Sequence, residues 1–309
     1  AALEWAEEKN EAEFGLRLAG FARLWHVRGQ MSEAERWMER MLALDQRARE
    51  QGEQTAPLTL RITMLYGFGR TQVRHGRAEH RAEVYANEAL RLAQSIGDQN
   101  GMCNAYATIG MIALANGKLD EAEHAFIHSY TLASQLKHSG LMSRAASHLS
   151  DVASMRGDLE HATVLLEEAL ANARISGMTW DIPIMTAMLG HLARQQQRYD
   201  LAKARYREAL VRFRTFSSPT YIAGCLEGYA AVLSAEGHYT QATRLSAAAK
   251  VIRELTQTPL SQSEREVFEQ THATAKAALN ETTFDEEWTT GNHFTLHQAV
   301  DYALSDTCA

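Results

Sequence analysis

Thirteen histidines in 309 residues are the first candidates for metal or acid–base chemistry. His124 and His128 stand at i, i+4, a spacing that can put two imidazoles on one helix face as a zinc site requires. No third ligand is fixed by the sequence, so the pair reads as two surface or groove histidines. His293 and His297 flank a helix start and read the same way. Glu286 and Glu287, beside Trp288, suggest a carboxylate pair, but adjacent residues on a helix do not face one another, and both read as solvated. Gly-x-Ser-x-Gly, His-Glu-x-x-His and glycine-rich phosphate loops are missing. Cys103, Cys225 and Cys308 are far apart, odd in number and without Cys-x-x-Cys, which argues against disulfides and structural zinc and for a reducing compartment. No catalytic set, metal site or cofactor site assembles. The chain reads as non-enzymatic.

Binding is the remaining class. The net charge is −7 with both signs interspersed. A nucleic-acid binder concentrates Lys and Arg because phosphate neutralisation supplies its affinity. The longest basic clusters, Lys203–Arg207 and Arg212–Arg214, are interrupted and read as solvated helix faces. Direct nucleic-acid binding is not expected. No apolar stretch approaches 18 residues and no signal peptide opens the chain, so no membrane contact and a cytoplasmic location are expected.

The elements that would position a binding surface are helices. Proline occurs only 4 times, and Ala, Leu, Glu, Arg and Gln, which lose little side-chain freedom in a helix, dominate. Ala82, Ala122, Ala162, Ala202 and Ala242 are spaced at 40 residues. Five residues before four of them lies a turn position: Gly117, Gly157, Gln197 and Gly237. Seven residues after each alanine stands another small residue: Ala89, Ser129, Ala169, Ala209 and Ala249. Each unit reads as two antiparallel helices, because apolar residues recur at three- and four-residue steps on both sides of a short turn. The small residues mark the helix crossing, where axes 8–10 Å apart leave room for little more than a methyl. Six pairs are expected, over roughly 12–51, 58–97, 101–138, 141–177, 180–216 and 220–257.

After Pro259 the period is lost. Ser261 or Ser263 can cap a helix running to about Asn280, Gly291 reads as a break, and Thr295 can cap a last helix over 296–304. This tail reads as a cap, since the last repeat of a stack otherwise leaves an apolar face in water. The expected domains are therefore a repeat region over 1–257 and a helical cap over 258–309.

The repeat resembles the tetratricopeptide repeat. Tyr106, Ile109, Gly110, Ala122 and Phe126 bear the resemblance in one unit, and Leu189, Gly190, Ala202, Tyr206 and Ala209 in another. The proline that the family places after its second helix is missing. The resemblance implies an all-α fold, an α-α superhelix of about six helix pairs plus C-terminal capping helices. A second resemblance covers both ends. The opening Phe14-Gly-Leu-Arg-Leu-Ala-Gly, Leu24-Trp-His-Val-Arg-Gly and the closing Phe284, Trp288, Gly291, Leu296, Ala299 and Tyr302 look like the limits of the repeat region in bacterial signal-transduction (STAND-type) ATPases and LuxR-like transcriptional regulators. That implies a sensor region whose nucleotide-binding and effector domains lie upstream. The chain starts without Met inside a helical segment, Ala1–Lys9, and so reads as a fragment of something longer.

The resemblance also implies that the first helix of each pair lines a concave groove, where a protein, peptide or small-molecule ligand binds. With Gly110 and its equivalents turned inward to the pair, the groove positions are Asn104, Met111, Arg144, Ser147, Asp151, His191, Arg194 and Glu227. Earlier units add Tyr66, Arg70, Arg23 and His26. Charged members of this set could grip a ligand by charge-assisted bonds. The competing expectation is that Arg144–Asp151 and Arg194–Glu227 merely pair with each other. The alternative to a sensor is a freestanding scaffold that joins proteins.

Overall fold

The described residues, 1–20, 31–74, 80–216 and 218–305 of a computed structural model, with the side chains of Met31 and Arg74 also undescribed, fold as a succession of helices. Among the described residues there are no strands. Contacts divide the chain into two compact units, Ala1–Val152 and Ala153–Ala309. The first contains α1 (Ala2–Glu8), α2 (Ala12–Ala19), α3 (Met31–Gln51), α4 (Leu58–Arg74), α5 (His80–Ile96), α6 (Gln99–Ala115), α7 (Leu119–Gln135) and most of α8 (Ser139–Met155). The second contains α9 (Leu159–Ser176), α10 (Asp181–Gln195), α11 (Tyr199–Phe216), α12 (Pro219–Ala235), α13 (Tyr239–Thr256), α14 (Gln262–Ala278), α15 (Glu281–Asn292) and α16 (Leu296–Leu304).

Within each unit the helices pack mainly on chain neighbours, as the repeat predicts: α4 with α5 and α6 with α7 in the first, α10 with α11 and α12 with α13 in the second. The turn positions adopt the left-handed conformation that stops a helix. Gly117, Gly157 and Gly237 have φ of +73°, +81° and +86°, and Gln197, the one non-glycine of the column, is held at +58°. Every alanine of the 40-residue column is fully buried, and so are the small residues seven positions on, Ser129 at 1% exposure being the largest departure.

A second complementarity explains the Gly110 column. A methyl on Gly110 would lie 2.6 Å from the Phe126 ring, and one on Gly190 would lie 2.9 Å from Tyr206. The ring of the second helix therefore fills the space that the first helix leaves empty. In both pairs an aromatic ring on the second helix accompanies a glycine on the first, as close packing at a fixed axial separation requires. This column points into the pair, so the positions one and four residues on lie along the flank of the first helix.

The tail completes unit 2. Ser261 and Thr295 form capping boxes with Glu264 and Gln298, as the sequence suggests. Helix α14 packs on α12 and α13, α15 on α13, and α16 on α11, α12 and α13, where Ala299, Val300 and Ala303 join the core. Arg207 donates to the carbonyls of Ala303, Leu304 and Ser305, satisfying acceptors that a helix end leaves open. Two expectations change here. Gly291 lies within α15, where a Cβ would come 2.3 Å from the Arg244 carbonyl oxygen, so glycine permits a close helix crossing. Glu287 is not solvated but paired with Arg244, whereas Glu286 is exposed.

Candidate functional site

In unit 1, Arg70 from α4, Asn104 and Met111 from α6, and Arg144 and His148 from α8 line one cleft, with Cys103 and Ser129 among its other walls. Four of the expected groove residues, Arg70, Asn104, Met111 and Arg144, are thus brought together from three first helices. Its enclosed volume is about 20 Å³, room for roughly one water and far less than a whole organic ligand needs. It can seat one functional group of a larger ligand.

Local packing explains this placement. Gly110 admits the Phe126 ring, and Phe126 stacks on His148 with centroids 4.9 Å apart and planes at 20°. His148 in turn approaches Asp151 at 3.6 Å. The Cys103 thiol donates to the Ser129 carbonyl at 3.2 Å and the Ser129 hydroxyl donates to the Cys103 carbonyl at 3.0 Å, tying α6 to α7. Burial raises the Cys103 pKa, opposed by the Ser129 bond and the Arg144 charge, so the thiol is kept protonated. Arg144 bonds only its own-helix carbonyl of Gly140, at 3.5 Å, and the expected Arg144–Asp151 pair does not form among the described residues. Its guanidinium remains available for an acceptor from outside.

Tyr66 is half-buried and packs on the N-terminal core, while Ser147 and Asp151 lie on α8; none of the three lines the cleft. Arg23 and His26 lie outside the described residues. His148 escaped the sequence reading because its column, Thr108, His148, Met188 and Gly228, has no common chemistry to flag it.

In unit 2, His191 and Arg194 lie beside Tyr206, and Glu227 lies against Arg253. The Tyr206 hydroxyl meets His191 Nδ1 at 2.9 Å, and the two rings are edge to face at 5.2 Å. Burial pushes the His191 pKa down to about 4, assisted by the Arg194 charge and opposed by Glu264. The ring is therefore neutral at neutral pH. Burial also drives the Tyr206 hydroxyl well above its ordinary value. Glu227 does not pair with Arg194. It binds Arg253 through two contacts, 3.0 and 2.7 Å, and Arg253 also holds Glu264 at 3.0 Å. Burial raises the Glu227 pKa, with Arg253 opposing. For Glu264, burial acts upward but is outweighed by the Ser261 bonds and Arg253, so its pKa is lowered. Tyr206, Arg253 and Glu264 are partners that the groove pattern cannot find, since they come from second helices and the tail.

His124 and His128 are exposed, with centroids 4.5 Å apart, and His128 stacks on Tyr106. No group of three His, Cys, Asp or Glu suited to a metal ion occurs among the described residues. No described helix is long and apolar enough to cross a membrane.

Comparisons with known proteins agree with this architecture. Residues 101–175 match the tetratricopeptide repeat family. The chain is similar in structure to the signal-transduction ATPase with numerous domains, with a tetratricopeptide repeat sensor, from Pyrococcus horikoshii: TM-score 0.63, 14% identity, covering 90% of this chain and 41% of that one. It is similar to a Rap protein complexed with competence and sporulation factor, with TM-score 0.60 and 11% identity, covering 86% of this chain and 76% of that one. Aspartyl phosphate phosphatase F from Bacillus subtilis gives TM-score 0.59 and 10% identity, with 87% and 73% covered. No curated protein matches. At these identities the likeness establishes the fold: an all-α, tetratricopeptide-like stack of helix pairs.

Proposed function

We propose that this chain is a non-catalytic ligand-recognition domain that binds a peptide or protein along the first helices of its repeats and serves as the sensor of a larger bacterial regulator. The observation that carries the binding reading is the unit 1 cleft, where Arg70, Asn104, Met111 and Arg144 converge from three helices on one small recess. A ligand with an acidic or polar group would meet two guanidiniums and an amide in that recess and could form charge-assisted bonds there. The likeness to a signal-transduction ATPase whose repeats are described as a sensor, and to a Rap protein in complex with a signalling factor, supports the regulatory half of the reading.

As a sensor, the domain must bind its ligand with different affinity in two states of the regulator, since a ligand indifferent to the states shifts nothing. Peptide and small-molecule libraries screened by thermal shift should yield ligands that raise the melting temperature, because selective binding to the folded form stabilises it. Hits that lose about tenfold in affinity in both Arg70→Gln and Arg144→Gln support the cleft; hits that bind both variants as well as the wild type exclude it. A gene encoding a nucleotide-binding module and an effector domain upstream of Ala1 supports the sensor over a freestanding scaffold.

A further inference from the structure

Helix α14 is the least buried element of the tail. Of its seventeen residues only Thr271 and Ala275 are buried, whereas α16 buries three of nine and α13 eight of eighteen. It lies against α12 and α13. What holds its first turn is polar: Arg253 of α13 grips Glu264 at 3.0 Å and, on its other side, Glu227 of α12 at 3.0 and 2.7 Å. Glu227, one of the expected groove residues, is 8% exposed within this clasp. Further along, Phe268 and His272 meet Trp288 and Phe284 of α15 through ring contacts, with centroids 5.1 to 6.5 Å apart. Both ends of α14 are anchored independently of it. Upstream, the Thr258 amide donates to the Arg253 carbonyl at 3.1 Å; downstream, the Glu287–Arg244 pair and the Gly291 crossing fix α15 to α13. A segment with so few buried groups between two firm anchors opens at a smaller free energy than the core around it.

We propose that α14 is a strap: it swings off α12 and α13 on its own, with α15 and α16 still docked, and so controls access to the α12 flank that carries Glu227. Opening breaks the Glu264–Arg253 contact and uncovers Thr271 and Ala275, small losses beside those of a core helix. Arg253 keeps its bonds to Glu227, so no buried charge is stranded when the strap leaves. The helix re-forms readily because the capping box of Ser261 and Glu264 is local to the strap. Glu264, Phe268, Thr271 and Ala275 recur at steps of four, three and four, the spacing of one helix face. A ligand that reaches the flank takes the place of that face, so the partner it fits is an amphipathic helix. What the open flank binds rests on the proposed function; the opening itself does not.

Ala275→Cys places a thiol on the face that α14 buries, and Cys225, 1% exposed on α12, is the reference. The full chain is treated with iodoacetamide, each cysteine is followed by peptide mass spectrometry, and amide hydrogen exchange is measured on the unaltered chain. The introduced thiol should react at least tenfold faster than Cys225, and the α14 amides should exchange at least tenfold faster than those of α12, α13 and α15. Glu264→Gln, which can still close the capping box but loses its charge toward Arg253, should speed both α14 readings severalfold and leave Cys225 and α13 unchanged. Equal rates across α12, α13 and α14 overturn the strap. Access is read with a synthetic peptide of residues 261–279, titrated by fluorescence anisotropy. It should bind a chain carrying Thr271→Asp and Ala275→Asp at least tenfold tighter than the wild type, whose own strap competes; Glu264→Gln serves if that chain does not fold. Equal binding to both chains, or none to either, overturns control of access. If α14 opens alone while no peptide depends on Arg70 or Arg144, the proposed function fails and the strap stands; the reverse pattern sinks the strap alone.

Discussion

A single half-buried imidazole ties the pH response of unit 2 to its packing. His191 is held neutral, with its pKa near 4 against an ordinary 6.5, chiefly because burial disfavours its charged form. Between those values the unfolded chain takes up a proton that the folded chain refuses, so stability falls as pH drops from about 7 toward 4, by on the order of 2 kcal/mol. Urea unfolding at pH 7.5 and 5.0 should show the wild type losing more stability than His191→Gln, which lacks that proton; equal losses would mean that the ring is hydrated. Gln197 offers a test of the opposite sign. A non-glycine residue in the left-handed region costs roughly 1–2 kcal/mol, part of which glycine recovers at the cost of greater unfolded-state freedom. Gln197→Gly is therefore expected to stabilise by about 0.5–1 kcal/mol, read as a higher melting temperature. The left-handed turn at this position was legible from the sequence because three glycines share its column. The Arg253 partner of Glu227 was not, because side-chain pairing depends on which second-helix residue comes alongside, and the repeat period is silent on that.

Helix crossings are where sequence and structure agree most closely. The alanine column and the Gly110–Phe126 and Gly190–Tyr206 pairs follow from the need to keep two helix axes at one separation, and each is visible as a spacing. Gly228 tests the same rule between repeats: a Cβ there would lie 2.5 Å from the Tyr206 ring and its hydroxyl. Gly228→Ala should destabilise by about 1–3 kcal/mol and should also shift the His191 signals, since Tyr206 must move to admit the methyl. Gly291→Ala is the more severe change, because the obstacle is the Arg244 backbone rather than a side chain able to turn aside. It is expected to loosen α15 from α13, seen as faster proteolysis within residues 281–304 at unchanged overall helicity. The sequence read Gly291 only as a breaker. Without a repeat to compare it with, nothing in the tail separates a glycine that ends a helix from one that lets two helices touch.

At the level of the chain, the two units are assembled differently. Unit 1 is built from contacts between sequence neighbours, and its buried Asp45–Arg61–Glu88 network spans only part of its length. Such local topology closes with small losses of chain entropy. Unit 2 adds a long return: Arg207 and Arg214 on α11 meet Leu304 and Asp301, and α16 fills the core beside α13. Removing residues 296–305 is therefore expected to leave unit 1 protected in hydrogen exchange while α11 and α13 exchange faster; equal protection in both units would show that α16 contributes little. The same return fixes a sequence of events on the ribosome. The buried side of α11 is translated long before α16 exists to cover it, so the nascent chain must carry an open, greasy seam for roughly ninety further residues, an interval in which chaperone capture or mispairing with another nascent copy competes with self-completion.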